Sequence, residues 1–143
     1  MDIKIKKLHP NAKLPRRASS GATGFDLYAC MPAGESIVLG QVPKLIGTGI
    51  AIEAPPGYDA QIRPRSGLSL KGVVVPVGTI DSDYRGEVMV TMYLFNPGIS
   101  FKIKHGDRIA QLVIHKLPEV KVVESTELSA TKRGAGGHGS TGR

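Results

Sequence analysis

Short runs of alternating apolar and polar residues succeed one another along this chain, and turn residues close nearly every run. Ile3 to Leu8 alternates at period two and predicts a first strand with one wet face, ended by His9-Pro10-Asn11. Phe25 to Ala29, Ser36 to Leu39 and Leu45 to Ile52 predict three more, with Pro32-Ala33-Gly34 and Ala54-Pro55-Pro56-Gly57 as turns. Tyr58 to Arg63 alternates again and leads into Pro64 to Gly72, the one plausible helical turn. There Ser66 is expected as N-cap, and Gly72 sits where the helix would end. Val73 to Val77, Glu87 to Asn96, Phe101 to Lys104, Arg108 to Leu117 and Val120 to Val123 complete the set. Strands at this spacing, separated by turns, predict an all-β sandwich, barrel or jelly roll. From Ser125 onward apolar content collapses, and Gly134 to Arg143 holds five glycines and no aliphatic residue larger than Ala135. The expected organisation is a β-domain over residues 1–124 and a mobile C-terminal tail over 125–143.

Composition narrows the setting. The 143 residues suit one domain with a real core, and 18 Gly with 10 Pro against 5% aromatics favour strands over helices. The single Cys30 excludes an intramolecular disulfide and a Cys-rich zinc site, and it suits a reducing compartment. Met1 to Leu8 mixes charges with apolar residues and does not read as a signal peptide. No apolar run approaches a membrane span. A soluble, cytoplasmic protein is therefore expected. The net charge of +7 points to a polyanion partner or, more simply, to a lysine-rich surface.

Basic residues beside Gly, Ser and Thr carry more information. In Pro64-Arg65-Ser66-Gly67 a guanidinium, a hydroxyl and helix-start N–H groups converge, an arrangement that favours an anion. In Arg133 to Gly142 flexible backbone N–H groups and two hydroxyls accompany another arginine, as in a backbone that closes over phosphate. No GxxxxGK[ST] loop is present. Between the two, Gly78-Thr-Ile-Asp-Ser-Asp-Tyr-Arg-Gly-Glu-Val-Met-Val90 reads as a β-hairpin whose tip gathers carboxylates, a tyrosine and an arginine. A plain turn explains Asp, Ser and Gly there, but a turn has no need of Ile80-Asp81 and Tyr84 at this spacing. Phosphoryl chemistry requires charge neutralisation and a group that deprotonates the nucleophile, and Asp81 can be that base. Asp26 is either a strand-edge carboxylate or a Mg²⁺ ligand, directly or through water. His9, His105, His115 and His138 are scattered, and no serine has a readable adjacent base.

Five segments then occur in the order of one family. They are Ala22-Thr-Gly-Phe-Asp-Leu27, Pro64-Arg-Ser-Gly-Leu-Ser69, Gly78-Thr-Ile-Asp-Ser-Asp-Tyr-Arg-Gly-Glu87, Gly106-Asp-Arg-Ile-Ala-Gln111 and Arg133-Gly-Ala-Gly-Gly-His-Gly-Ser-Thr-Gly142. The chain resembles the trimeric all-β dUTPases over almost its whole length. The resemblance implies a jelly-roll-like distorted barrel with one short helix, and a homotrimer whose active sites are shared between subunits. It also implies Mg²⁺-assisted hydrolysis of dUTP to dUMP and pyrophosphate, which limits uracil in DNA and supplies dUMP for dTMP synthesis. By the same resemblance Asp81 activates the water, and Gly78, Thr79, Ile80 and Met89 belong to the element that reads uracil. Tyr84 lies under the deoxyribose, while Arg65, Ser66, Gly67 and Gln111 face the phosphates. Asp26 stands near the hydrated Mg²⁺, and Arg133, Ser140 and Thr141 close on the γ-phosphate.

Two positions depart from the family pattern. His138 stands where a stacking Phe is usual, which predicts weaker tail ordering and a pH-sensitive contact. Val75 stands where many bacterial members have Asn near the uracil, which leaves the reading to backbone. Two rival functions remain open on sequence grounds. A dCTP deaminase shares the implied fold, although Arg65-Ser66-Gly67 and Tyr84 fit hydrolysis better. A basic nucleic-acid-binding module would use the charge, but no aromatic-and-basic strand face supports one, so neither a stable nucleic-acid partner nor a membrane partner is expected.

Overall fold

Two four-stranded antiparallel sheets carry the fold in the computed structural model, which describes residues 1–142. In chain order the elements are β1 (Lys4–Lys7), β2 (Phe25–Tyr28), β3 (Ser36–Leu39), β4 (Lys44–Glu53), β5 (Tyr58–Arg63), α1 (Ser66–Leu70), β6 (Val73–Val74), β7 (Gly78–Ile80), β8 (Glu87–Leu94), β9 (Phe101–Lys104) and β10 (Arg108–Lys116). One sheet runs β1-β4-β8-β6, the other β2-β10-β5-β7, and β3 pairs with β9 in a two-stranded ribbon.

The period-two pattern explains how the sheets pack. In β8 every second residue is buried, Val88, Val90, Met92 and Leu94, while Glu87, Met89, Thr91 and Tyr93 alternate on the other face. Ile46 and Ile50 of β4, Ile103 of β9, and Ile109 and Leu112 of β10 complete the core. Each such side chain contributes about 1.5–3 kcal/mol by leaving water. The sheets do not close on one another: β1, β6, β2 and β7 all end a ladder. The fold is all-β and jelly-roll-like, as expected, but it is an open sandwich and not a barrel.

Four local expectations are corrected. Val120 to Val123 is not a strand; its valines are 73%, 93% and 70% exposed, and no strand edge runs beside it to supply ladder partners. Ser66 is not the N-cap. Arg65 is extended and occupies that position, its carbonyl accepts from the Leu68 and Ser69 N–H groups, and Ser66 is already helical. The strand at Val73 stops at Val74, before Pro76, which has no N–H to give to a ladder. Finally, Gly78 to Val90 is not a continuous paired hairpin. β6 pairs with β8 at its far end, Val73 opposite Leu94 and Val74 opposite Tyr93. The chain then crosses over, and β7 pairs with β5, Ile80 opposite Ala60 and Gly78 opposite Ile62. The two arms of the expected hairpin therefore belong to different sheets.

No helix among the described residues is long and apolar enough to cross a membrane.

Candidate active site

Splitting the two arms opens a slot between them. Gly78, Thr79, Ile80 and Asp81 form one wall, Glu87, Val88 and Met89 the other, with Ile62 and Tyr84 completing a hollow of about 200 Å³. The structure thus gathers six of the expected site residues, Gly78, Thr79, Ile80, Asp81, Tyr84 and Met89, in one place. Ile80 is buried and anchors its wall, whereas Asp81, one residue on, projects as an exposed carboxylate. A tight turn follows, with the Tyr84 N–H donating to the Asp81 carbonyl at 3.1 Å. Arg85 locks this turn by donating to the Ser82 and Tyr84 carbonyls at 2.7 and 2.9 Å. The Tyr84 hydroxyl donates to the Glu87 carbonyl at 3.0 Å, and the ring passes so close to Gly86 that a Cβ there would overlap it. Larger hollows of about 460 and 450 Å³ lie elsewhere; the first is lined by no carboxylate and the second by Asp2, which lies outside any strand.

A second cluster forms where β2, β10 and the start of α1 meet. Asp26 is the cross-strand neighbour of Gln111. Its carboxylate lies 3.2 Å from Arg65 Nε and 3.4 Å from an Arg108 guanidinium nitrogen. Arg65 also donates to the Arg108 carbonyl at 3.1 Å, and Gln111 donates to the Pro64 carbonyl at 2.8 Å, which ties β10 to the turn before α1. Two guanidiniums against one carboxylate leave this corner net positive. Ser66 and Gly67 sit exposed at its edge, and the Ser66 hydroxyl is not spent on capping. Arg108 is a member of this corner that the sequence does not single out, although it lies within the Gly106 to Gln111 segment.

The remaining expected residues are not drawn in. Arg133, His138, Ser140 and Thr141 lie on an exposed run of turns whose hydrogen bonds stay within the tail, such as Arg133 Nε to the Gly136 carbonyl at 2.8 Å. Val75 is 4% exposed, packs in the core and does not line the slot.

The donor set limits what a metal can do. Among the described residues no group of three His, Cys, Asp or Glu could hold an ion. Both Asp26 oxygens already face guanidiniums, so Asp26 fits a hydrated Mg²⁺ brought by phosphates and not a bare ion. The slot is also smaller than the roughly 300–1,000 Å³ of a typical ligand pocket, enough for a flat ring but not for a triphosphate.

A jelly-roll-like chain with a ring-sized slot, a carboxylate at its rim and a separate arginine corner has places for a flat ring and for an anion. The dUTPase family model matches residues 10–142. The deoxyuridine 5'-triphosphate nucleotidohydrolase of Wolinella succinogenes is 50% identical, covering 100% of this chain and 95% of that protein. The protein of the same description from Hydrogenobaculum is also 50% identical, with 99% of each covered. Among solved structures, the Staphylococcus bacteriophage 80alpha dUTPase with dUPNHPP superposes with a TM-score of 0.85 at 28% identity, covering 99% of each chain. The chain belongs to the dUTPase family.

Proposed function

We propose that this protein hydrolyses dUTP to dUMP and pyrophosphate, with the slot holding uracil and Asp81 activating the water. The observation that carries this reading is the placement of Asp81 on the rim of the slot, immediately after buried Ile80 and beside Tyr84. Backbone groups of Gly78 to Asp81 and of Met89 present fixed donors and acceptors to the edge of the base. A cytosine would leave buried groups mismatched, at about 1–3 kcal/mol each. Tyr84, tethered through its hydroxyl, holds its ring where a deoxyribose rests and a 2′-hydroxyl is crowded. In the reaction a water oxygen bonds to the α-phosphorus, its proton passes to the Asp81 carboxylate, and the bond from that phosphorus to the bridging oxygen breaks to release pyrophosphate.

Arg65, with Ser66, Gly67 and Gln111, supplies the phosphate side. Asp26 would hold hydrated Mg²⁺ through water, and that ion, when bound, neutralises charge on the triphosphate. The arginine corner does not line the slot of the same chain, and the slot alone is too small for the whole substrate. Both facts support a homotrimer in which one subunit's slot is completed by another's phosphate side. The tail, through Arg133, Ser140 and Thr141, closes over the γ-phosphate, with His138 stacking on the base. Hydrolysis of dUTP limits uracil in DNA and its product feeds dTMP synthesis, and a cytoplasmic setting suits the lone thiol.

Pyrophosphate release from dUTP, dTTP, dCTP and UTP with Mg²⁺ tests the reading. The wild type should turn over dUTP alone, and Asp81→Ala should lose about 10²–10⁴-fold in kcat while still binding nucleotide. Equal turnover of all four nucleotides, or full activity in the variant, would overturn it.

A further inference from the structure

We propose that Glu87 is a positioning residue that sets the width of the slot and so determines which base enters; this rests on the assignment of the slot to the base of dUTP. The two walls are not bonded to each other as a pair of strands. β7 and β8 lie in different sheets, so no ladder of backbone hydrogen bonds fixes their separation. The β8 wall is held only from behind, by β4, and that pairing is interrupted at the slot. Gly47 lies opposite Met89 and Ala51 opposite Glu87, so three residues of β4, numbers 48 to 50, face the single Val88.

Two side chains replace the lost ladder bonds. Thr48 Oγ1 donates to the Val88 carbonyl at 2.6 Å, and the Gly49 N–H donates to Glu87 Oε1 at 2.7 Å. The recess that receives the carboxylate depends on glycine at position 47, and the N–H that meets it on glycine at position 49. A Cβ at Gly47 would meet Glu87 Oε1 at 2.7 Å. Gly49 has φ +68°, a left-handed conformation, and a Cβ there would approach Cys30 Sγ at 2.6 Å and the Ala12 methyl at 2.9 Å. On its other side the Glu87 carbonyl accepts the Tyr84 hydroxyl at 3.0 Å. One residue thus joins the rear support of a wall to the ring at the rim. Without its carboxylate, the Gly49 N–H loses its partner and the start of β8 is no longer held at a fixed distance from β7. A wall whose position is not fixed no longer excludes a 5-methyl group on the base.

The test compares kcat/KM for dUTP and dTTP in the full-length wild type and in Glu87→Ala, Glu87→Asp and Glu87→Gln. Alanine should reduce the dUTP-to-dTTP ratio about tenfold, at the low end of what one methyl group discriminates in a pocket, and mainly through KM. Glutamine keeps an acceptor oxygen at the same reach and should restore the ratio. Aspartate keeps the charge but is one methylene short, and it should fall between them; if the alanine variant does not fold, the aspartate–glutamine pair distinguishes the same outcomes. A merely structural role would lower the melting temperature or the active fraction and reduce both substrates in proportion. An unchanged ratio in the alanine and aspartate variants therefore overturns the inference while leaving dUTP hydrolysis standing. A wild type that hydrolyses neither nucleotide overturns the assignment of the slot and the inference with it.

Discussion

The slot and the tail are made of opposite materials. The slot walls grow from strands whose neighbouring residues, Ile80 at 6% exposure and Val88 at 1%, are rooted in the core. The tail from Ser125 to Gly142 is nearly all exposed and bonds only to itself among the described residues. On the proposed function, the difference matches two recognition problems. Telling uracil from its relatives rests on a group that does not fit, and a wall that yields would admit it. Gripping phosphate asks only for N–H groups and cations, which a mobile backbone can bring up after the ligand is seated.

Three further experiments bear on this contrast. Truncation after Lys132 should leave the melting temperature of the body almost unchanged, because no hydrogen bond joins the tail to it among the described residues. The same truncation should cut dUTP turnover about 10²-fold, the size of losing one preorganised stabilising donor. A large fall in stability would show that the tail belongs to the body. Gly49→Ala should act the other way, on stability first. A Cβ at φ +68° beside Cys30 and Ala12 should cost about 1–3 kcal/mol in denaturant unfolding, and the loosened β4 support should reach activity only through the slot.

The smallest effect concerns Cys30. Burial, and secondly the charge of Glu87, push its thiol above the ordinary value of 9.0. Alkylation of the folded protein should therefore rise with pH only at higher values than in the unfolded chain. Glu87→Gln removes the lesser cause, so the midpoint of a pH–rate profile with iodoacetamide should move down. A midpoint that stays fixed would mean that the Glu87 charge does not reach the thiol.

Much of the fold is legible because period two is a local property. The alternation of β8 can be read from Glu87 to Leu94 without knowing any partner. Which sheet a strand joins is not local. Gly78 to Ile80 looks like one arm of a hairpin from its sequence neighbours, yet its pairing is decided by β5 and by the crossover after Pro76. Val120 to Val123 shows the converse: β-prone residues do not make a strand without an edge to lie against. In the site, Asp81 and Tyr84 stand out because their types are unusual for a turn. Glu87 does not, since its meaning comes from a bulge 38 residues earlier in the chain. Arg108 is silent for the same reason, as its partner Asp26 lies 82 residues away.

The pairing of Arg65 with Asp26 has a consequence for what the corner, as the proposed phosphate side, would ignore. An arginine that already has a carboxylate at 3.2 Å carries its own counter-ion, so a free anion from solution must compete with one built into the protein. Inorganic phosphate meets that competitor alone. In the proposed site, a nucleotide anchored by its base would bring its phosphates at high effective concentration and displace Asp26 where a stray ion would not. When the products leave, Asp26 is still in place to reclaim the guanidinium. On that proposal one carboxylate gives the corner both a threshold for capture and a way to reset.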